Sequence, residues 1–142
     1  MHKTFELNIQ GYYRDEVRNQ FPNKQGVYFV YKGILNYVTR TCILTTLLFI
    51  GETEDLHSTF NEHPTRDQFI ESIKEGESIF YAYALTDFRQ SNLRRVAASL
   101  IYELQPLLNN RGVDACTFPS TTIKILGNRH AFIPEIVTAP SY

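Results

Sequence analysis

Apolar and polar residues alternate over TFELNI, Thr4 to Ile9, a period of two that predicts a strand. YYRDEVRNQF, Tyr12 to Phe21, reads as a short helix stopped by Pro22, whose ring cannot continue one. NKQG then reads as a turn. GVYFVYKG, Gly26 to Gly33, is dense in Val, Tyr and Phe and predicts a first strong strand, and CILTTLLFIGE, Cys42 to Glu52, predicts a second. ILNYVTRT between them reads as a connection with some extended structure, so the two strands can pair as a long hairpin. Glu54 to His63 then reads as a helix ended by Pro64, with Glu54 and Asp55 complementing the dipole of its first turn.

TRDQ, Thr65 to Gln68, matches a capping box. Phe69, Ile70 and Ile73 continue at helical spacing, and Gly76 is placed to act as a C-cap. SIFYAYALT, Ser78 to Thr86, alternates as a third strand, and Ser91 in the polar DFRQSN can cap the next helix. Leu93, Val96, Ala97, Leu100, Ile101 and Leu104 recur at steps of three and four, the stripe of the best helix, which Pro106 ends. TTIKIL reads as a late strand, and AFIPEIVTAPSY as a tail packed on the body. These elements predict one α/β domain over 1–142. Its expected centre is a small, mostly antiparallel three-stranded sheet flanked by helices, with a C-terminal extension.

The composition narrows the function classes. Of the 142 residues, 43% are hydrophobic and 13% aromatic, enough to fill one core. Lys plus Arg is 14 and Asp plus Glu is 15, a net charge of −1, so the chain is not basic overall as a phosphate-gripping protein would be. A local basic patch stays open. The longest apolar run, CILTTLLFI, is strand-sized, far short of the roughly eighteen residues of a membrane span. MHKTFELNIQGYY has no apolar core of signal-peptide length. Cys42 and Cys116 form no metal or redox motif. The expectation is a cytoplasmic protein with free thiols and no membrane partner.

The order of motifs is more specific than any one of them. Gly26-Val27-Tyr28 lies on one strand, and Phe49-Ile50-Gly51 on the next, followed by Glu52-Thr53-Glu54-Asp55-Leu56. A later helix carries Leu100-Ile101, with Pro106 and Asn109 beyond it. This arrangement resembles the GIY-YIG nuclease superfamily, over residues 24–110. The resemblance implies a GIY-YIG-like core and an endonuclease ancestry. It places the family's first tyrosine on Tyr28, its second on Phe49, the arginine of its first helix on Thr59, and the helix histidine on His63. The metal-holding glutamate falls on Ala97 and the late asparagine on Asn109.

An active relative would use Mg²⁺, and here a hydroxyl, a guanidinium and a carboxylate are replaced by groups that cannot do their work. The resemblance therefore implies a catalytically defective member, with no cofactor of its own, retained to bind DNA, RNA or a protein partner. A weakly active metal-dependent endonuclease using Tyr28 and His63 is the first alternative. A regulatory or structural interaction protein of a mobile-element or defence system is the second.

Each candidate also has a plain structural reading. Tyr28 is a relic of a site or a strand aromatic. His63 is a relic or a cap on helix carbonyls. Glu52, Glu54 and Asp55 could be taken for a metal cluster, but a helix start explains them. Arg89, Arg94 and Arg95, with Lys74 and Arg66, form a nucleic-acid-binding rim or a solvated face. Tyr81 and Tyr83 share a strand face and pack in the core or stack on a base.

Overall fold

The structure is a computed structural model, described for residues 2–109, 118–129 and 132–139. Alternation at the start of the chain builds a longer strand than its clearest stretch. Phe5, Leu7 and Ile9 turn inward from β1 (Lys3–Arg14), while Thr4, Glu6 and Asn8 face solvent. A 3-10 helix, Asp15–Gln20, occupies the rest of the segment expected to be α-helical. β2 (Gly26–Asn36) and β3 (Thr41–Thr53) form the expected hairpin and extend it through ILNYVTRT. α1 (Leu56–Asn61), α2 (Arg66–Ser72), β4 (Ser78–Leu85) and α3 (Gln90–Leu104) come next, then β5 (Thr121–Gly127) and β6 (Ile136–Ala139).

The expectation of a small three-stranded sheet flanked by helices is overturned. One six-stranded mixed sheet in the order β3-β2-β4-β1-β5-β6 dominates the molecule. β1 pairs β4 antiparallel and β5 parallel, and β6 closes on β5. The strands read as β2, β3 and β4 are therefore only half of the sheet, and the supposed extension supplies two more.

Two cores lie on opposite faces of this sheet. Leu93, Val96 and Leu100 of α3 pack with Phe29, Phe80, Ile123 and Ile125 on one face. Leu56, Phe60 and Phe69 of α1 and α2 pack with Tyr28, Leu48, Tyr81 and Tyr83 on the other. β4 alternates between the two cores and is buried on both faces, as its apolar run FYAYA requires.

The helix ends differ in detail from the sequence signals. Asp55 is the N-cap of α1, its carboxylate accepting from the His57 and Ser58 N–H groups at 3.1 and 3.4 Å. Thr65 precedes α2 without capping it. α2 ends at Ser72, and Gly76 sits in the next turn at φ +85°, where an L side chain would be strained. Arg89, not Ser91, holds the N-cap position of α3. Cys116 lies outside the described residues. No helix among the described residues is long and apolar enough to cross a membrane.

Candidate functional site

Register places Tyr28 on β2 directly beside Gly51 on β3. The Tyr28 ring covers that glycine so closely that a Cβ at 51 would collide with the ring and its hydroxyl. Phe49, two residues earlier on β3, stacks near Tyr28 with centroids 6.1 Å apart and planes 23° apart. α3 presents Ala97, one turn on from Leu93, and Arg94 beside it. A groove of about 650 Å³ is lined by these residues together with Glu52, Gln68 and Asn109. Its lining comes from both sides of the β3 edge, from α3 and from the start of α2.

The histidine lies behind the tyrosine. The Thr65 backbone N–H donates to His63 Nδ1 at 3.1 Å, and the Thr65 hydroxyl lies 2.6 Å from the same nitrogen. An accepting Nδ1 leaves the single ring proton on Nε2, which faces Tyr28 Oη at 2.6 Å. The imidazole therefore donates to the phenol oxygen, and the phenol's own proton is free to point elsewhere. Burial pushes the His63 pKa down to about 4. Burial, reinforced by the nearby Glu52 carboxylate, raises the Tyr28 phenol well above its ordinary value. At neutral pH the pair is thus a neutral imidazole and a protonated phenol. His63 serves no helix carbonyl: its two ring nitrogens are taken by Tyr28 and Thr65.

The other expected residues divide sharply. Tyr28, Phe49, Arg94, Ala97 and Asn109 meet at the groove. Thr59 does not: its hydroxyl lies 2.6 Å from that of Thr53, bracing the turn before α1. Asn109 spans the edge of β3, accepting from the Ile50 N–H at 2.8 Å and donating to the Ile50 carbonyl at 2.9 Å. Leu107 and Leu108 add backbone bonds to Leu47 and Leu48, so this segment works as a short edge cover. Ala97 is buried at 3% exposure, as its place on the apolar stripe requires.

The expected basic rim is only partly present. Arg95 is 6% exposed and donates to Thr121 Oγ1 and to the Ser120 carbonyl, both at 2.8 Å, so it is a buried tie between α3 and β5. Arg66 pairs with Asp15, whose carboxyl the guanidinium and the Tyr81 hydroxyl help hold below its usual range against the opposing effect of burial. Arg89, Arg94 and Lys74 remain exposed. Tyr81 and Tyr83 are buried, and Tyr83 stacks on Tyr13, so neither offers a face to a base.

Thr65 and Gln68, which read in the sequence as a capping box, also line the groove, as does Glu52, which reads as part of a helix start in preference to a metal cluster. The His63-Pro64-Thr65 spacing was the available signal, since a threonine two residues on can reach back to a ring nitrogen.

The groove residues do not fit a magnesium ion of the kind the family resemblance implies. Hard cations take several oxygen ligands. Among the described lining residues Glu52 is the single carboxylate, Ala97 has no side-chain oxygen, and the Asn109 amide is engaged by Ile50. Among the described residues there is no group of three or more His, Cys, Asp or Glu side chains that could hold a metal. Comparison with protein-family models, curated proteins and solved structures finds no match.

Proposed function

We propose that the groove binds a nucleic-acid strand without cutting it, as a GIY-YIG-like domain that lacks hydrolytic equipment. One observation carries the reading. Residues from four separate segments, Tyr28, Phe49, Arg94 with Ala97, and Asn109, converge on one groove. The groove keeps a cation and a phenol, yet has alanine where the resemblance calls for a carboxylate. The Arg94 side chain is exposed and has no hydrogen bond or ion pair among the described residues, so its guanidinium is available to a phosphate. The first-turn N–H groups of α3 add positive potential at the same helix end, with no side chain capping them.

Hydrolysis would need a placed metal and a base for the attacking water. Tyr28 stays protonated and His63 has its one acceptor nitrogen already occupied by Thr65. Binding is therefore the activity these groups can support. The test is fluorescence anisotropy with labelled single- and double-stranded DNA and RNA across a salt series. Arg94→Ala should weaken binding about tenfold for all sequences and reduce the salt slope by about one. The same oligonucleotides should stay intact with Mg²⁺ or Mn²⁺. Absence of binding at low salt overturns the reading in favour of a protein partner. Cleavage abolished by Tyr28→Phe would overturn it in favour of a weakly active endonuclease.

A further inference from the structure

The β2–β3 hairpin outruns the rest of the sheet. β4 pairs β2 only as far as Gly33, so beyond it the two strands are held by each other, from Ile34 opposite Ile43 to Asn36 opposite Thr41. The turn at its tip is fixed: Asn36 Oδ1 accepts from the Val38 and Thr39 N–H groups at 3.0 and 3.2 Å, and Arg40 sits in the left-handed region at φ 57°. Between Gly33 and Gly51 the sequence holds Arg40 and no acidic residue.

A second cavity, of about 510 Å³, lies where this hairpin faces the end of β1. That is within the roughly 300–1,000 Å³ of small-molecule pockets. Its apolar part comes from the cross-strand pair Leu35 and Cys42 and from Phe80. Aromatic walls come from Tyr37 at the tip and from Tyr12. Tyr12 is held in place by donating to the Asn128 carbonyl at 2.5 Å and by an edge-on contact with Tyr31 at 5.4 Å. Two guanidiniums complete the lining, Arg14 and Arg40. Glu16 lies 3.4 Å from Arg14 and offsets part of its charge. The Arg40 side chain has no hydrogen bond or ion pair among the described residues, and no carboxylate is among the described residues that line the cavity.

An apolar floor, two tyrosines in the lining and a positive charge that Glu16 offsets only in part suit a planar ring that carries an anion. We propose that this cavity binds a nucleoside monophosphate group, with the base against Tyr12 and Tyr37 and the phosphate on Arg40, supported by Arg14. The group is either a free nucleotide or the phosphorylated end of a strand. The cavity shares no lining residue with the groove over Tyr28, so the proposal stands independently of the one made for that groove.

Cys42 supplies a reporter, because its thiol lines the cavity and is half-buried. AMP should slow iodoacetamide alkylation of Cys42, read by mass spectrometry of its peptide, and adenosine or inorganic phosphate alone should protect far less. Arg40→Gln should raise the half-protecting AMP concentration about tenfold, while Arg94→Ala should leave it unchanged. Calorimetry with AMP on the same proteins gives the comparison without relying on the thiol. A 5′-phosphorylated trinucleotide run in parallel separates the two sources: tighter binding of the trinucleotide assigns a strand end, and equal or tighter binding of AMP assigns a free nucleotide. No protection and no heat with either probe overturns the proposal, as does protection that Arg40→Gln leaves intact.

Discussion

Tyr28 can lie across the neighbouring strand only because residue 51 has no side chain, and that contact sets the position of the hydroxyl His63 binds. Gly51→Ala should push the ring off its seat and cost about 1–3 kcal/mol, read as a lower urea midpoint, together with loss of the Tyr28–His63 hydrogen bond by NMR. An unchanged midpoint would refute this role of the glycine. His63 adds a pH dependence. Its folded pKa lies below the ordinary 6.5, at about 4, so the unfolded chain takes up a proton before the folded one does. The stabilising effect of the neutral ring is thus complete above pH 6.5 and is lost as the pH falls towards 4. The extra slope is at most about 1.4 kcal/mol per pH unit, and smaller in practice because the ring is partly solvated. Denaturation curves at several pH values should show His63→Asn with a flatter dependence than wild type in this window, and parallel curves would refute the assignment. Tyr28, Phe49 and Gly51 were legible from motif spacing on two strands. The bond from Thr65 to His63 was not, because a polar residue beside a proline reads equally well as the start of the next helix.

Among the elements, α3 shows how far periodicity reaches. Its stripe from Leu93 to Leu100 was legible and is buried as expected. Arg94 and Arg95 look alike in sequence, yet one is exposed and the other is enclosed, because Ser120 and Thr121, at the entry to β5, arrive later to cover that side of the helix. No local pattern carries that information. Arg95→Ala should leave Thr121 and Ser120 without their charged partner and lower stability by about 1–3 kcal/mol. Arg94→Ala should stay within about 0.5 kcal/mol of wild type. Thermal or urea melts of the two variants check the contrast, and equal stabilities would mean that Arg95 does not tie α3 to β5. β1 tells the same story. TFELNI was legible by alternation, but Tyr12 to Arg14 was not, since the charged residues after Tyr13 imitate the opening of a helix. Pairing with β4, together with the bonds that join Asn128 to Gly11 and Tyr12, holds that end extended.

At the scale of the whole molecule, the sheet is joined by contacts that are remote in sequence. Lys3 pairs with Thr121 and Ile9 with Gly127, so the first strand lies between β4 and a strand from the far end of the chain. The hairpin and β4 could be read locally; the insertion of β1 beside β4 could not, because the periodicity of a strand does not say which strand it joins. This bears on the motif-bearing segment 24–110, which ends before β5 and begins after β1. Removing the flanks takes Leu7, Ile9, Ile123 and Ile125, all buried, out of the core under α3. At roughly 1.5–3 kcal/mol for each buried side chain, that loss is of order 6–12 kcal/mol. The total matches the whole stability of an ordinary domain, about 5–15 kcal/mol. Cutting there also exposes the edge of β4, whose apolar residues would then be open to pairing between molecules. The isolated segment should therefore show no cooperative urea transition by circular dichroism and should aggregate, whereas the full chain unfolds in one step. A cooperative transition in the fragment with a slope near that of the full chain would show that β1, β5 and β6 are appendages rather than parts of the folding unit. Loss of the transition would mean that Tyr28, Gly51 and Ala97 hold their positions only inside the complete sheet.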